Sequence, residues 1–151
     1  MWVKTTTSIA ATKTAMYLID TNVISEARKG LKANSGVRDF FQTTDPGALY
    51  LPVQAIGEIR RGLEFIRYRG DIPQATLLEA WLDLLVADYG DRILAFDEVC
   101  AQVWGRLMVP HREHPVDKQI AAIGLVHGLT VVTRNTEDFR ATGVALKNPF
   151  G

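Results

Sequence analysis

The chain has 151 residues, the size of one domain at ~100–200 residues each, and its one cysteine, Cys100, excludes an intramolecular disulfide and a cysteine-built zinc site. Hydrophobic residues make up 47 % and charged residues 23 %, which excludes disorder over the whole length. Seventeen Lys and Arg balance seventeen Asp and Glu, so no global basic field gathers nucleic acid. No apolar run approaches the ~18 residues of a membrane span, and the lone cysteine suits a reducing cytoplasm.

Residues 1–15 are interrupted by threonines, which makes them a poor signal peptide. They are read as a disordered extension, with residues 16–151 as a single domain and Met16 as an alternative start. Met16-Tyr17-Leu18-Ile19 reads as a strand ending at Asp20. Thr21 or Asn22 then caps a helix to about Lys29, and Gly30 stops it. A short helix over 36–42, an Asp45-Pro46-Gly47 turn and a strand over 48–51 follow. Pro52 stands at the first position of a long helix striped by Ile56, Ile59, Leu63 and Ile66.

Gly70-Asp71 breaks that helix, and Pro73 opens another carrying Leu77, Leu78, Trp81, Leu82 and Leu85. A strand over 92–96 leads to Asp97, which caps a helix with Val99, Cys100, Val103, Trp104 and Leu107 inward. After a loop over 110–115 comes a helix with Ile120, Ala121, Gly124 and Leu125 on one side, ended by Gly128. A strand over 129–132, one helical turn over 135–139 and an edge strand over 144–146 close the chain. Strands separated by helices imply an α/β three-layer sandwich with a parallel central sheet.

Ligands of such sheets gather at the carboxyl ends of strands. Four acids fall at that level. Asp20 directly follows a strand, and Glu58 lies in the first two turns of the helix leaving strand 48–51. Asp117 is in the first turn after Pro115, and Asp138 is in the turn after strand 129–132. At ~4 Å each like pair costs on the order of 1 kcal/mol in water and ~4 at an effective dielectric of 20. Either the four are scattered, or a cation holds them, and hard oxygen ligands suit Mg²⁺ or Mn²⁺.

Each acid also has a purely structural reading. Asp20 is a possible helix cap, although Thr21 and Asn22 stand in better positions for it. Asp117 and Asp138 occupy first turns, where an acid is worth ~0.3–1 kcal/mol against the helix dipole. Asn135 and Asp138 have capping-box spacing. Glu58 fits a solvated helix face.

The words around the acids go further. Leu18-Ile19-Asp20-Thr21-Asn22-Val23, Gly57-Glu58-Ile59, Pro115-Val116-Asp117-Lys118-Gln119-Ile120-Ala121-Ala122 and Val132-Thr133-Arg134-Asn135-Thr136-Glu137-Asp138-Phe139 occur in that order. Together, and with the closing Gly143 to Phe150, they resemble the PIN-domain family and, within it, the VapC-type toxins of the FitB-like branch. The resemblance runs from Met16 to Phe150. It implies a PIN-like fold and a metal-dependent endoribonuclease using Mg²⁺ or Mn²⁺, whose activated water leaves a 5′-phosphate and a 3′-hydroxyl. Asp20, Glu58, Asp117 and Asp138 match the family's acidic positions, with Asp20 and Asp117 as metal ligands and Asp138 in support. Asn22 and Thr133 match polar positions lining the same pocket. The resemblance also implies a homodimer acting on RNA and inhibited by a small antitoxin protein.

One departure from the family is the loop Val109-Pro110-His111-Arg112-Glu113-His114-Pro115, which lacks the usual glycine. His111 and His114 are read there as exposed residues rather than a metal pair. Arg106, Arg112 and Arg134 are candidates for RNA phosphates or, equally, solvated surface. Cys100, Trp81 and Trp104 are assigned to the core, and Arg60, Arg61, Arg67 and Arg69 to a solvated helix face or, equally, a partner interface rather than an RNA track. Ile24, Phe40 and Phe41 are read either as an antitoxin groove or as core.

Two enzyme rivals lack a residue. A haloacid-dehalogenase-type phosphatase needs a second acid where Asn22 stands, and a receiver domain needs a late lysine that Thr133-Arg134 does not supply. The remaining alternative is a catalytically silent PIN-like module that binds RNA or protein. Zero net charge points to recognition of selected RNA by fit rather than bulk attraction.

Overall fold

The computed structural model describes residues 15–151, so the expected disorder of the extension lies, but for Ala15, outside the described residues. The strands are β1 (Tyr17–Ile19), β2 (Leu49–Pro52), β3 (Ile93–Leu94), β4 (Thr130–Val132) and β5 (Leu146–Lys147). The helices are α1 (Thr21–Ala27), α2 (Ser35–Thr43), α3 (Val53–Tyr68), α4 (Ile72–Tyr89), α5 (Glu98–Leu107), α6 (Pro115–His127) and α7 (Thr136–Phe139). The strands pair in the order β3-β2-β1-β4-β5, all parallel. β1 is central, with Leu18 opposite Tyr50 on one side and Val131 on the other.

Alternation along each strand divides the interior in two. Ile19, Leu49, Leu51 and Val132 face one way and pack with Val23, Val37, Ile59, Leu63 and Leu82 of α1 to α4. Leu18, Val131 and Leu129 face the other way and meet Cys100, Ile120, Ala121, Ile123 and Phe139 of α5 to α7. The three-layer α/β sandwich expected from the sequence is therefore the architecture. Close approach on the second face depends on Gly124, where an added Cβ would stand 3.0 Å from Val144 and 3.2 Å from Val131 side-chain carbons.

Several local expectations change. Pro52 is not the first residue of α3. Its backbone is extended and pairs with Leu94, so it ends β2 and stands as the cap position. α1 ends at Ala27, two residues early, in a turn that runs into Gly30. Leu77 and Val99 point to solvent, because the stripes of α4 and α5 centre on Ala75, Leu82 and Leu85 and on Cys100. Leu125 is likewise exposed.

Ile24 and Phe40 are core, which removes them from any antitoxin groove. Phe41 is partly buried against the same cluster. Trp81 and Trp104 are partly buried, and Trp104 Nε1 donates to the Pro115 carbonyl. Arg60 and Arg67 are not simply solvated: both pair with Glu64 and Glu79, tying α3 to α4. Among the described residues no helix is long and apolar enough to cross a membrane.

Candidate functional site at the carboxyl ends of β1 and β4

Chain order places the site. β1 leads away to β2 and β3 on one side, whereas β4 and β5 lie on the other. The connections diverge at β1 and β4, the place where such sheets bind ligands beyond the carboxyl ends of their strands. Residues leaving β1 and β4 lie at that end, as do the first turns of α1 and α7 and the second turn of α3. α6 precedes β4 and runs opposite to it, so its first turn also arrives at this end.

Asp20 caps α1, a position the sequence assigns more readily to Thr21 or Asn22. Its Oδ1 accepts from the Thr21 backbone N–H at 2.8 Å. Its Oδ2 accepts from Thr133 Oγ1 at 2.8 Å and from Asn22 Nδ2 at 3.4 Å. Capping therefore occupies one oxygen, while the second is held by side chains from the end of β4 and from α1. Asp20 is 4 % exposed and Thr133 fully buried.

Thr133 is held in turn. Its Oγ1 accepts from the Asn135 N–H, and Asn22 Oδ1 accepts from the Arg134 N–H. Thr21 Oγ1 donates to Glu58 Oε1 at 2.6 Å, bringing α3 to the same place. Asp117 and Asp138 lie beyond, each with a carboxylate oxygen near the His114 ring.

The acids also bear on one another's charge. Burial pushes the Asp20 carboxyl up to about 6, with Asp117 and Glu58 adding to the rise and the Thr133 and Thr21 hydrogen bonds opposing it. Asp117 is also raised, first by burial and then by Asp138 and Glu58, with His114 opposing. Among the described residues no lysine or arginine is ion-paired with any of the four. A set of carboxylates with neutral hydrogen-bond donors and, among the described residues, no lysine or arginine partner fits a divalent cation, which hard oxygen ligands suit.

A model of the PIN domain matches residues 17–145. The chain belongs to the PIN-domain family. It is 31 % identical over 142 residues to toxin FitB of Neisseria gonorrhoeae, covering 89 % of this chain and 99 % of FitB. It is also 31 % identical over 142 residues to VapC ribonuclease Y4jK of Sinorhizobium fredii, covering 89 % of this chain and 98 % of that protein. The crystal structure of FitAcB from Neisseria gonorrhoeae superposes with a TM-score of 0.79 at 31 % identity, covering 89 % of this chain and 98 % of that one.

In this PIN domain Asp20, Asn22 and Thr133 are joined by hydrogen bonds, and Glu58 is held by Thr21 next to Asp20. Asp117 and Asp138 form a second group around His114. The Asn135–Asp138 capping box does not form, because the Asn135 side chain makes no cap hydrogen bond. Arg134 is exposed just past the end of β4, with its guanidinium 4.5 Å over the Phe150 ring. Arg112 is exposed on the loop before α6.

His114 is exposed, as the sequence reading has it, and it stands beside two of the acids. Its Nε2 lies 3.6 Å from Asp138 Oδ1 and its Nδ1 3.9 Å from Asp117 Oδ2. The loop bearing it is held by Lys118, a buried lysine whose Nζ donates to the His111 carbonyl at 2.6 Å. Its three-residue spacing from Asp117 across a helix start was the available signal.

Proposed function

We propose that residues 16–151 form a single PIN domain that acts as a Mg²⁺- or Mn²⁺-dependent endoribonuclease, the toxin of a toxin–antitoxin pair. The observation that supports this is the buried Asp20 carboxylate held by Thr133 and Asn22 with Glu58 tied in through Thr21, beside Asp117 and Asp138, and with no lysine or arginine ion-paired to the four acids among the described residues. The names of its relatives, a toxin and a VapC ribonuclease, support the same reading.

Asp20 and Asp117 hold the cation in this reading. When bound, it draws negative charge off the scissile phosphate and makes a water nucleophilic at neutral pH. Thr133 and Asn22 fix the Asp20 carboxylate, Thr21 fixes Glu58, and Asp138 supports from α7. Arg112 and Arg134 meet RNA phosphates at the rim. The balanced net charge favours a selected RNA segment over bulk attraction. The protein works as a cytoplasmic homodimer silenced by a small antitoxin. The full set of acids disfavours a silent binding module.

The test is cleavage of host RNA by the purified chain, with mapping of the new ends. Mg²⁺ or Mn²⁺ should give 5′-phosphate and 3′-hydroxyl ends, and D20N, D117N or EDTA should abolish them. Cleavage undiminished in D20N, or persisting in EDTA, overturns the proposal.

A further inference from the structure

We infer that His114 is a nitrogen ligand to the cation held by Asp20 and Asp117, on the side where Asp138 supports it, so that the site favours Mn²⁺ and Zn²⁺ over Mg²⁺. This rests on the metal-dependent reading above and adds to it a residue and a selectivity.

Three observations carry it. First, His114, Asp117 and Asp138 each offer a ligand atom, and the three lie within 4.8 Å of one another. Ligand atoms around one tetrahedral ion at ~2.0–2.1 Å stand roughly 3.3 Å apart, so the 3.6 and 3.9 Å separations are a few tenths wider than a closed set. They are too long for hydrogen bonds, which end near 3.2 Å, so neither carboxylate already uses the ring.

Second, His114 occupies the cap position of α6 and makes no capping hydrogen bond. Helix capping therefore does not explain its place. Third, His114 is the one non-glycine residue with positive φ among the described residues, at φ 55°. Pro115 disfavours the right-handed helical region at this position. A left-handed residue other than glycine costs on the order of 1–2 kcal/mol. No local hydrogen bond of its side chain offsets that cost.

The chemical consequence follows from ligand type. Carboxylates alone suit Mg²⁺ and Mn²⁺, whereas imidazole suits Zn²⁺ and other transition ions, and affinity at a nitrogen-bearing site rises from Mn²⁺ to Zn²⁺. A single imidazole among carboxylates thus raises transition-ion affinity with little effect on Mg²⁺.

The experiment is pulsed EPR of Mn²⁺ on the full chain, with calorimetric titration of Mg²⁺, Mn²⁺ and Zn²⁺. The proteins are wild type, H114G, H114N and D20N. Glycine and asparagine both tolerate the left-handed backbone, so these variants remove the imidazole without adding strain. Wild type should show nitrogen modulation that both His114 variants lose. Their Mn²⁺ and Zn²⁺ affinities should fall about tenfold or more, with Mg²⁺ changing less than about twofold.

Mn²⁺ bound in wild type without nitrogen coupling, or equal losses for all three ions, overturns the His114 assignment. In that case D20N still abolishes Mn²⁺ binding and the nuclease reading stands. Wild type that binds no divalent ion overturns both.

Discussion

Thr133 Oγ1 donates to Asp20 Oδ2 at 2.8 Å across 113 residues of sequence, joining the ends of β4 and β1. The hydroxyl is fully buried and also accepts from the Asn135 N–H, so its direction is set before any ligand arrives. A partner that orients a metal-binding carboxylate is typically worth 10–100-fold in affinity or activity. T133V should therefore lower cleavage and Mn²⁺ affinity about tenfold or more. T133S keeps the hydroxyl and should stay within about threefold. Equal behaviour of the two variants in single-turnover cleavage would show that Asp20 needs no such support.

Asp20 also fixes how the metal-free protein responds to pH. Its carboxyl titrates at about 6 when folded and near 3.8 when unfolded. Below about 3.8 both states are protonated and folding carries no ionisation penalty. As pH rises through that window the unfolded chain ionises first, and above about 6 the full penalty applies, on the order of 3 kcal/mol. In EDTA, D20N should thus be more stable than wild type at pH 7.5, with the advantage shrinking towards pH 4. Urea unfolding at both pH values checks this, and a difference that does not change with pH would refute it.

The four acids were legible in the sequence because each sits at a strand end or a helix start, and because the order of their surrounding words matched a family. The three-layer architecture followed from strands alternating with helices. What periodicity could not supply was the choice of face on α4 and α5, where apolar residues surround the axis and Leu77 and Val99 turn outward. Pro52 misled for a different reason. Proline suits the first helical turn, but it also fits the end of a strand when its missing donor is not needed. His114 was hidden because its placement depends on one left-handed backbone conformation, which leaves no repeating pattern.

The C-terminus is tied to the start of α2, and this contact is open to a separate test. Asn34 donates through Nδ2 to the Gly151 carbonyl and accepts from the Gly151 N–H. A Cβ at Gly36 would stand 2.2 Å from the Pro149 carbonyl oxygen and 2.8 Å from Gly151 N, both backbone atoms. G36A should force the closing segment away and destabilise the fold by about 1–3 kcal/mol. Deleting Gly151 should relieve part of that loss, as read by thermal unfolding. A variant as stable as wild type would mean the segment is displaced at no cost.

Cation binding should be visible in stability without any RNA. A ligand bound only by the folded state adds RT ln(1 + [L]/Kd), about 2.7 kcal/mol at a hundredfold excess over Kd. Mn²⁺ should therefore raise the melting temperature of wild type at pH 7.5, where Asp20 is ionised and costs most. At pH 4.5 the carboxyl holds its proton, which competes with the cation, so the increment should largely vanish. D20N and D117N should show little rise at either pH. A Mn²⁺ increment that is the same at both pH values, or that survives in D20N, would place the bound ion away from the ends of β1 and β4.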